Sequence, residues 1–319
     1  MSTAFADAFY FDSLVWDWII AVYLFLAGMS AGAVMISIYL KRKVIEGHPS
    51  TNGIIKATAI LAPFGIIVGL LILVFHLTKP LSFWKIMIFY NPSSVMSMGV
   101  MLFQIYMVVL FAWIAIIYKD ELLKLLNGRL PIVGKVMAVI TRFENSLELF
   151  LGFLALLLAA YTGFLLSALQ TYPLLNNPVL PLLFLFSSLS SGAAACILVG
   201  VLFFKESAHS ASVKWVHKFE RPVVMFELFV IFAFFSGLYF GGGQSAAAAM
   251  AAIGGGFWAT WFWYGVIGMG MLVPLGLNAF SPAGIRHNKA FIMLVTTLSL
   301  IGVLMLRTFI LYAGQMTTV

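Results

Sequence analysis

The stretch WDWIIAVYLFLAGMSAGAVMISIYLKRK, residues 16–43, decides the fold. Between Asp17 and Lys41 it runs for 23 residues without a charge. As an α-helix that is about 34 Å of rise, enough to cross a hydrocarbon core of roughly 30 Å. A porin-type strand would alternate polar and apolar residues and be about half as long, so the segment reads as a membrane-spanning helix over about residues 16–40. Its two ends differ in charge. Asp7, Asp12 and Asp17 precede it, whereas Lys41, Arg42 and Lys43 close it. A secretory leader has the opposite polarity, so this helix is expected to stay in the membrane.

The rest of the chain repeats the pattern. Of 319 residues, 63% are hydrophobic and 9% charged, and the mean hydropathy is +1.07, which excludes an ordinary soluble domain. Further spans are expected at 54–78, 95–118, 145–169, 180–204, 221–240, 257–280 and 290–312, making eight. The net charge of +7 is informative through its distribution. Alternate connections hold Lys41, Arg42, Lys43 and Lys56; then Lys119, Lys124, Arg129, Lys135 and Arg142; then Lys205, Lys214, Lys218 and Arg221; then Arg286 and Lys289. The other connections hold Lys79 and Lys85 alone. This bias reports topology, not nucleic-acid binding, and predicts both termini on the periplasmic side of a bacterial inner membrane.

MSAGA at 29–33 is echoed by LSSGA at 189–193, an offset of 160 residues. Small residues let helices approach closely, and the echo suggests an internal repeat. The expected fold is an all-α integral membrane protein of eight transmembrane helices in two four-helix bundles, residues 1–169 and 170–319. The segment 119–142 is amphipathic and basic and is expected to lie along the inner interface. GGGQSAAAAMAAIGGG, residues 241–256, reads as a flexible outer loop.

Several chemistries are excluded. A b-type haem with two histidine ligands needs two imidazoles facing each other within the bundle. His48, His209, His217 and His287 fall in inner connections and only His76 falls in a span. Every lysine lies in a connection or at a span's edge, not within a helix as a Schiff base needs, no phosphate-binding loop or metal-ligand spacing occurs, and Cys196 alone makes neither a disulfide nor a cluster. A redox role would therefore need a diffusible organic carrier and an external electron partner.

Ionisable residues inside a membrane are functional candidates. Tyr23, seven residues after Trp16, sits about 10 Å below the outer surface, and His76, Tyr161 and Arg307 fall in the same outer layer of three other spans. Phenol, imidazole and guanidinium donors suit the two carbonyl oxygens of a quinone, and the imidazole could take a proton. Tyrosines at that depth also serve as interfacial belts, and arginines snorkel. On the inner side, Glu220 and Glu227 share one face at i, i+7, and Glu144 and Glu148 are spaced i, i+4. These four carboxylates form either a proton pathway or structural ion pairs, Glu227 with Arg221 or Arg142.

The segments 16–33, AAYTGFLLS at 159–167, FERPVVMFELF at 219–229 and LRTFILYAGQ at 306–315 resemble the NrfD family of quinone-interacting membrane subunits, in particular its polysulfide reductase branch. The resemblance implies a haem-free anchor that oxidises menaquinol near the periplasmic face during anaerobic respiration. Electrons would pass to a periplasmic, ferredoxin-like iron–sulfur subunit and then to a molybdopterin catalytic subunit that reduces polysulfide. It maps the quinone site onto Tyr23, His76, Tyr161 and Arg307 and the inner carboxylates onto Glu220 and Glu227, with no iron–sulfur cluster in this chain. The alternative is a secondary transporter of a small anion, with Arg307 as clamp and Glu227 as coupling site.

Overall fold

A computed structural model describes residues 7–77, 79–126, 131–286 and 288–318. His287 and Arg129 lie outside them. Among the described residues the chain is all-helical, with eight helices long and apolar enough to cross a membrane. These are α1 (Trp18–Lys43), α2 (Gly53–His76), α4 (Val95–Ile117), α7 (Glu144–Ser167), α8 (Leu180–Leu202), α9 (Ala211–Gly241), α11 (Gly256–Phe280) and α12 (Lys289–Gln315). Shorter helices join them: α3 (Phe83–Ile88), α5 (Lys119–Leu126), α6 (Pro131–Arg142) and α10 (Gly243–Ile253).

Local chemistry sets the helix starts. The Asp17 carboxylate accepts from Ile19 N at 3.0 Å, the Asn52 side chain from Ile54 N at 3.0 Å, and the Asn288 side chain from Ala290 N at 3.0 Å. Each satisfies a backbone donor that the first helical turn leaves free. Two expectations are corrected. Helix α9 begins ten residues before the apolar span, because Ser210 caps it, so His217 is part of a helix and not of a connection. Residues 243–253 form α10 and not a flexible loop, since the alanine run favours helix and the flexible glycines stand at its edges, Gly242, Gly243 and Gly256 having positive φ.

The centre of the molecule is the pair α1 and α8. A Cβ on Gly32 would lie 1.8 Å from the Ser188 carbonyl oxygen, and one on Gly192 would lie 2.3 Å from Ala33 N. The two echoing motifs, MSAGA and LSSGA, thus meet face to face, backbone on backbone. Around them α1 packs on α2 and α7, and α8 packs on α9 and α12. The larger of two hydrophobic clusters runs from Ala8 to Ala313, and both clusters draw residues from both halves. Helix α11 contains a π-helical stretch over Trp261–Leu272, and its Gly270 meets Gly302 of α12, where a Cβ would come within 2.5 Å of the facing Cα.

Charge is tied down at the lysine-rich end of α1. Lys41 pairs with both Glu144 and Glu148, and Arg42 Nε reaches Glu148 Oε2 at 2.8 Å. The Trp113 indole donates to the same Glu148 at 3.2 Å. These contacts hold α1, α4 and α7 together through a carboxylate that is 2% exposed.

Candidate functional site

At the opposite end of the bundle, α2, α3 and α4 enclose an apolar cleft of about 350 Å³. Its walls include Leu70, Leu73, Phe83, Met87, Met96 and Phe103, and Gln104 is the polar residue among them. Leu71, Met87 and Met96 are exposed at its edge, so the cleft opens sideways towards the surface that faces lipid. Leu70, Leu73, Met96, Val100 and Phe103 also line a smaller chamber of about 50 Å³ behind it. The chamber ends on Tyr23 and Tyr161, with Trp16 above them.

The two tyrosines come from α1 and α7 and face each other across Phe103, whose ring centroid is 5.9 Å from Tyr23 and 6.0 Å from Tyr161. Both are nearly enclosed, at 3% and 8% exposure. Neither hydroxyl has a hydrogen-bond partner among the described residues, whereas the fully enclosed Tyr106 bonds Ser30 at 3.0 Å. Buried phenols normally find a partner. Two that lack one, at the blind end of an apolar cleft, are donors left for a ligand.

Gly99 of α4 makes this possible. A Cβ there would lie 1.8 Å from Tyr161 Cζ and 1.9 Å from its hydroxyl oxygen. The phenol fits only because residue 99 has no side chain. Sequence reading missed Gly99, since a glycine inside a span gives no sign of which ring it faces.

The other two members of the expected layer go elsewhere. His76, the last residue of α2, lines neither the cleft nor the chamber; its Nε2 lies 3.9 Å from Asp17 Oδ1, both about one-third exposed. Arg307 is fully buried and lines neither the cleft nor the chamber. Its Nη2 donates to the Phe184 carbonyl at 3.0 Å and to Ser188 Oγ at 3.0 Å, its Nη1 reaches Thr162 Oγ1 at 3.4 Å, and its guanidinium lies 3.6 Å over the Phe184 ring. It therefore neither snorkels nor meets Tyr23 and Tyr161. Glu227 of α9 is 1% exposed and forms no ion pair within 4 Å among the described residues, neither with Arg221 or Arg142 nor with Arg307; Arg307 is the charge close enough to act on it. Glu220, near the other end of α9, accepts from Ser299 Oγ at 3.2 Å and lies 3.8 Å from His217 Nδ1.

A further polar knot closes the tyrosine end. Gln315 accepts from Val15 N and Trp16 N, both at 2.9 Å, and donates to Trp16 O at 2.8 Å. It ties the segment before α1 to the last turn of α12 and so fixes Trp16 above the chamber.

A family profile described as "Polysulphide reductase, NrfD" matches residues 7–319. The chain belongs to the NrfD family. It is 50% identical over 316 residues to Protein NrfD of Escherichia coli, with 98% of each protein covered. It is 45% identical over 307 residues to the C polypeptide of polysulfide reductase from Wolinella succinogenes, with 96% of each covered. A more distant relative, the C polypeptide of selenate reductase from Mesobacillus selenatarsenatis, is 25% identical over 288 residues, covering 83% of this chain and 67% of that one. The cleft, both tyrosines, Gly99 and Arg307 all fall inside the matched NrfD region.

Proposed function

We propose that this NrfD-family chain is the quinol-oxidising membrane subunit of an anaerobic respiratory reductase, and that its quinol site is the cleft ending on Tyr23 and Tyr161. The observation that carries the reading is the pair of partnerless hydroxyls at the closed end of an apolar cavity open to lipid. The cleft volume is within the range of small-ligand sites, and its lipid-side mouth suits a headgroup that arrives with an apolar tail. Phenol donors grip the ring oxygens, and His76 with Asp17, outside the cleft at the same end of the bundle, receives the protons released as menaquinol is oxidised.

The lysine and arginine bias supports placing both termini, and with them the tyrosine end, on the periplasmic side of the inner membrane. The electrons then leave through a periplasmic, ferredoxin-like iron–sulfur subunit to a molybdopterin subunit, whose chemistry fixes the terminal acceptor. Relatives named as components of polysulfide and selenate reductases support such an assembly. The pairing of MSAGA with LSSGA supports two four-helix repeats, 1–169 and 170–319, related through α1 and α8. Haem-free electron transfer fits the two span-borne imidazoles, His76 and His217, which stand at opposite ends of the bundle.

The test is Tyr23→Phe and Tyr161→Phe, measured as quinol-dependent turnover in membranes with the complex assembled. Losing one such donor should cost roughly tenfold each. Full turnover in both variants would overturn the site.

A further inference from the structure

The lysine-rich end of the bundle holds a second cavity, of about 550 Å³, between the start of α9 and the end of α11. Helix α9 supplies Lys214, His217, Lys218 and Arg221 to it. Their i, i+3, i+4, i+7 spacing puts all four on one face. Arg286, from the turn after α11, faces them, held by Nε to Ser281 O at 2.6 Å and Nη2 to Ala279 O at 3.1 Å. Trp215 stacks on Tyr39 of α1 at 4.4 Å and on Phe219 at 5.0 Å, which fixes the rotation of α9.

The charge in this cavity is not compensated. Among the described residues none of Lys214, Lys218, Arg221 and Arg286 forms an ion pair, in contrast to Lys41 and Arg42. Glu220, on the same helix, is 3% exposed and turned inward, with one oxygen on Ser299 and the other 3.8 Å from His217 Nδ1. Both ring nitrogens of His217 are buried without a hydrogen-bond partner. Lys214, Lys218 and Arg221 are exposed along its wall, and cations of one sign gathered in a concave site concentrate an anion. The surroundings indicate its kind. From one to just over two turns beyond Arg221 on α9, Met225, Phe226 and Phe229 are exposed, as are Leu272 and Val273 on α11, so apolar lipid-facing surface begins where the cationic cleft stops.

We propose that this cleft binds the phosphate of an anionic phospholipid, its acyl chains lying along the exposed strip below. Basic clefts between spans at headgroup depth have the chemistry for such lipids. A soluble phosphate-bearing anion would satisfy the same cations, and the adjoining apolar strip favours the lipid.

The test uses the purified full-length protein in neutral detergent, with short-chain phosphatidylglycerol, short-chain phosphatidylcholine and inorganic phosphate as probes. Phosphatidylglycerol should bind more tightly than phosphatidylcholine and lose affinity as salt rises. Lys218→Gln with Arg221→Gln should weaken it about thirtyfold, the effect of removing two cations from an anionic-lipid contact. Lys124→Gln with Lys135→Gln, an equal loss of charge elsewhere on the same side, should leave it unchanged. Equal binding of phosphatidylcholine, equal weakening by the control pair, or indifference to salt would overturn the proposal. Inorganic phosphate displacing the lipid at equal concentration would overturn the lipid assignment in favour of a soluble anion.

Discussion

Replacing Gly99 with Ala adds one methyl group at a point where the structure leaves no room. The new Cβ would lie 1.8 Å from Tyr161 Cζ, 1.9 Å from its hydroxyl oxygen and 2.4 Å from Cε2. Carbon atoms pack comfortably at roughly 3.5–4.0 Å, so ring and methyl must separate by close to 2 Å. The obstruction is the outer end of a side chain and not a helix backbone, so Tyr161 swings while α4 and α7 stay packed. The strain is that of one overpacked methyl, about 1–3 kcal/mol, which a membrane bundle of this size tolerates. The catalytic effect is larger than the structural one, because a misplacement of about 1 Å can cost roughly a hundredfold in rate. In membranes containing the assembled complex, quinol-dependent reduction should fall by about that factor. A dye that donates electrons directly to the proposed iron–sulfur partner should still support full reduction of the acceptor. Wild-type quinol turnover would refute the placement of the site at Tyr161. An equal loss with the dye would refute the claim that the damage is confined to the quinol end.

Other substitutions separate the site from its scaffold. Gly32→Ala brings a Cβ to 1.8 Å from the Ser188 carbonyl oxygen, so α1 and α8 must part, and the expected result is loss of folded protein in detergent-extracted membranes, with Gly134→Ala, which meets nothing within 4 Å, as the tolerated control. Arg307→Met leaves the Phe184 carbonyl and the Ser188 and Thr162 hydroxyls without their cationic donor, and a thermal unfolding assay should register a loss of about 1–3 kcal/mol; Glu227→Gln in the same background tests coupling to that cation, and a purely additive double variant would deny it.

The fold was legible because a membrane imposes length and charge rules on every span. Seven of the eight helices begin within about two residues of the expected apolar runs, as the uncertainty of helix ends allows. The exception is α9, whose first ten residues are polar enough to resemble a connection although Ser210 caps them into helix. The alanine-rich 243–253 misled for the opposite reason, its flanking glycines suggesting a loop while its interior favours helix. Depth along a helix can be counted from sequence, which is why Tyr23, His76, Tyr161 and Arg307 were assigned to one layer. Rotation about each axis cannot. That angle separates the two tyrosines, which turn towards the cleft, from Arg307, which turns towards Thr162 and Ser188.

Arg307 shows what depth alone leaves undetermined. A cation in lipid must be satisfied by something, and three candidates stood at its level: water at the surface, a quinone, or the protein itself. The protein won because Gly28 of α1 leaves space beside Ser188, a Cβ there coming within 3.0 Å of Arg307 Nη2 and 2.5 Å of Ser188 Oγ. Small residues that let α1 approach α8 thus also open the niche that the guanidinium fills. The same element of the repeat interface serves packing and charge burial, and it keeps the cation out of the chamber where only the neutral phenols of Tyr23 and Tyr161 remain. For the proposed quinol site, neutral donors would interact about equally with the oxidised and reduced uncharged rings, whereas a fixed cation would hold back any ionised form. On that proposal, a cleft without Arg307 favours exchange with the lipid pool over tight retention.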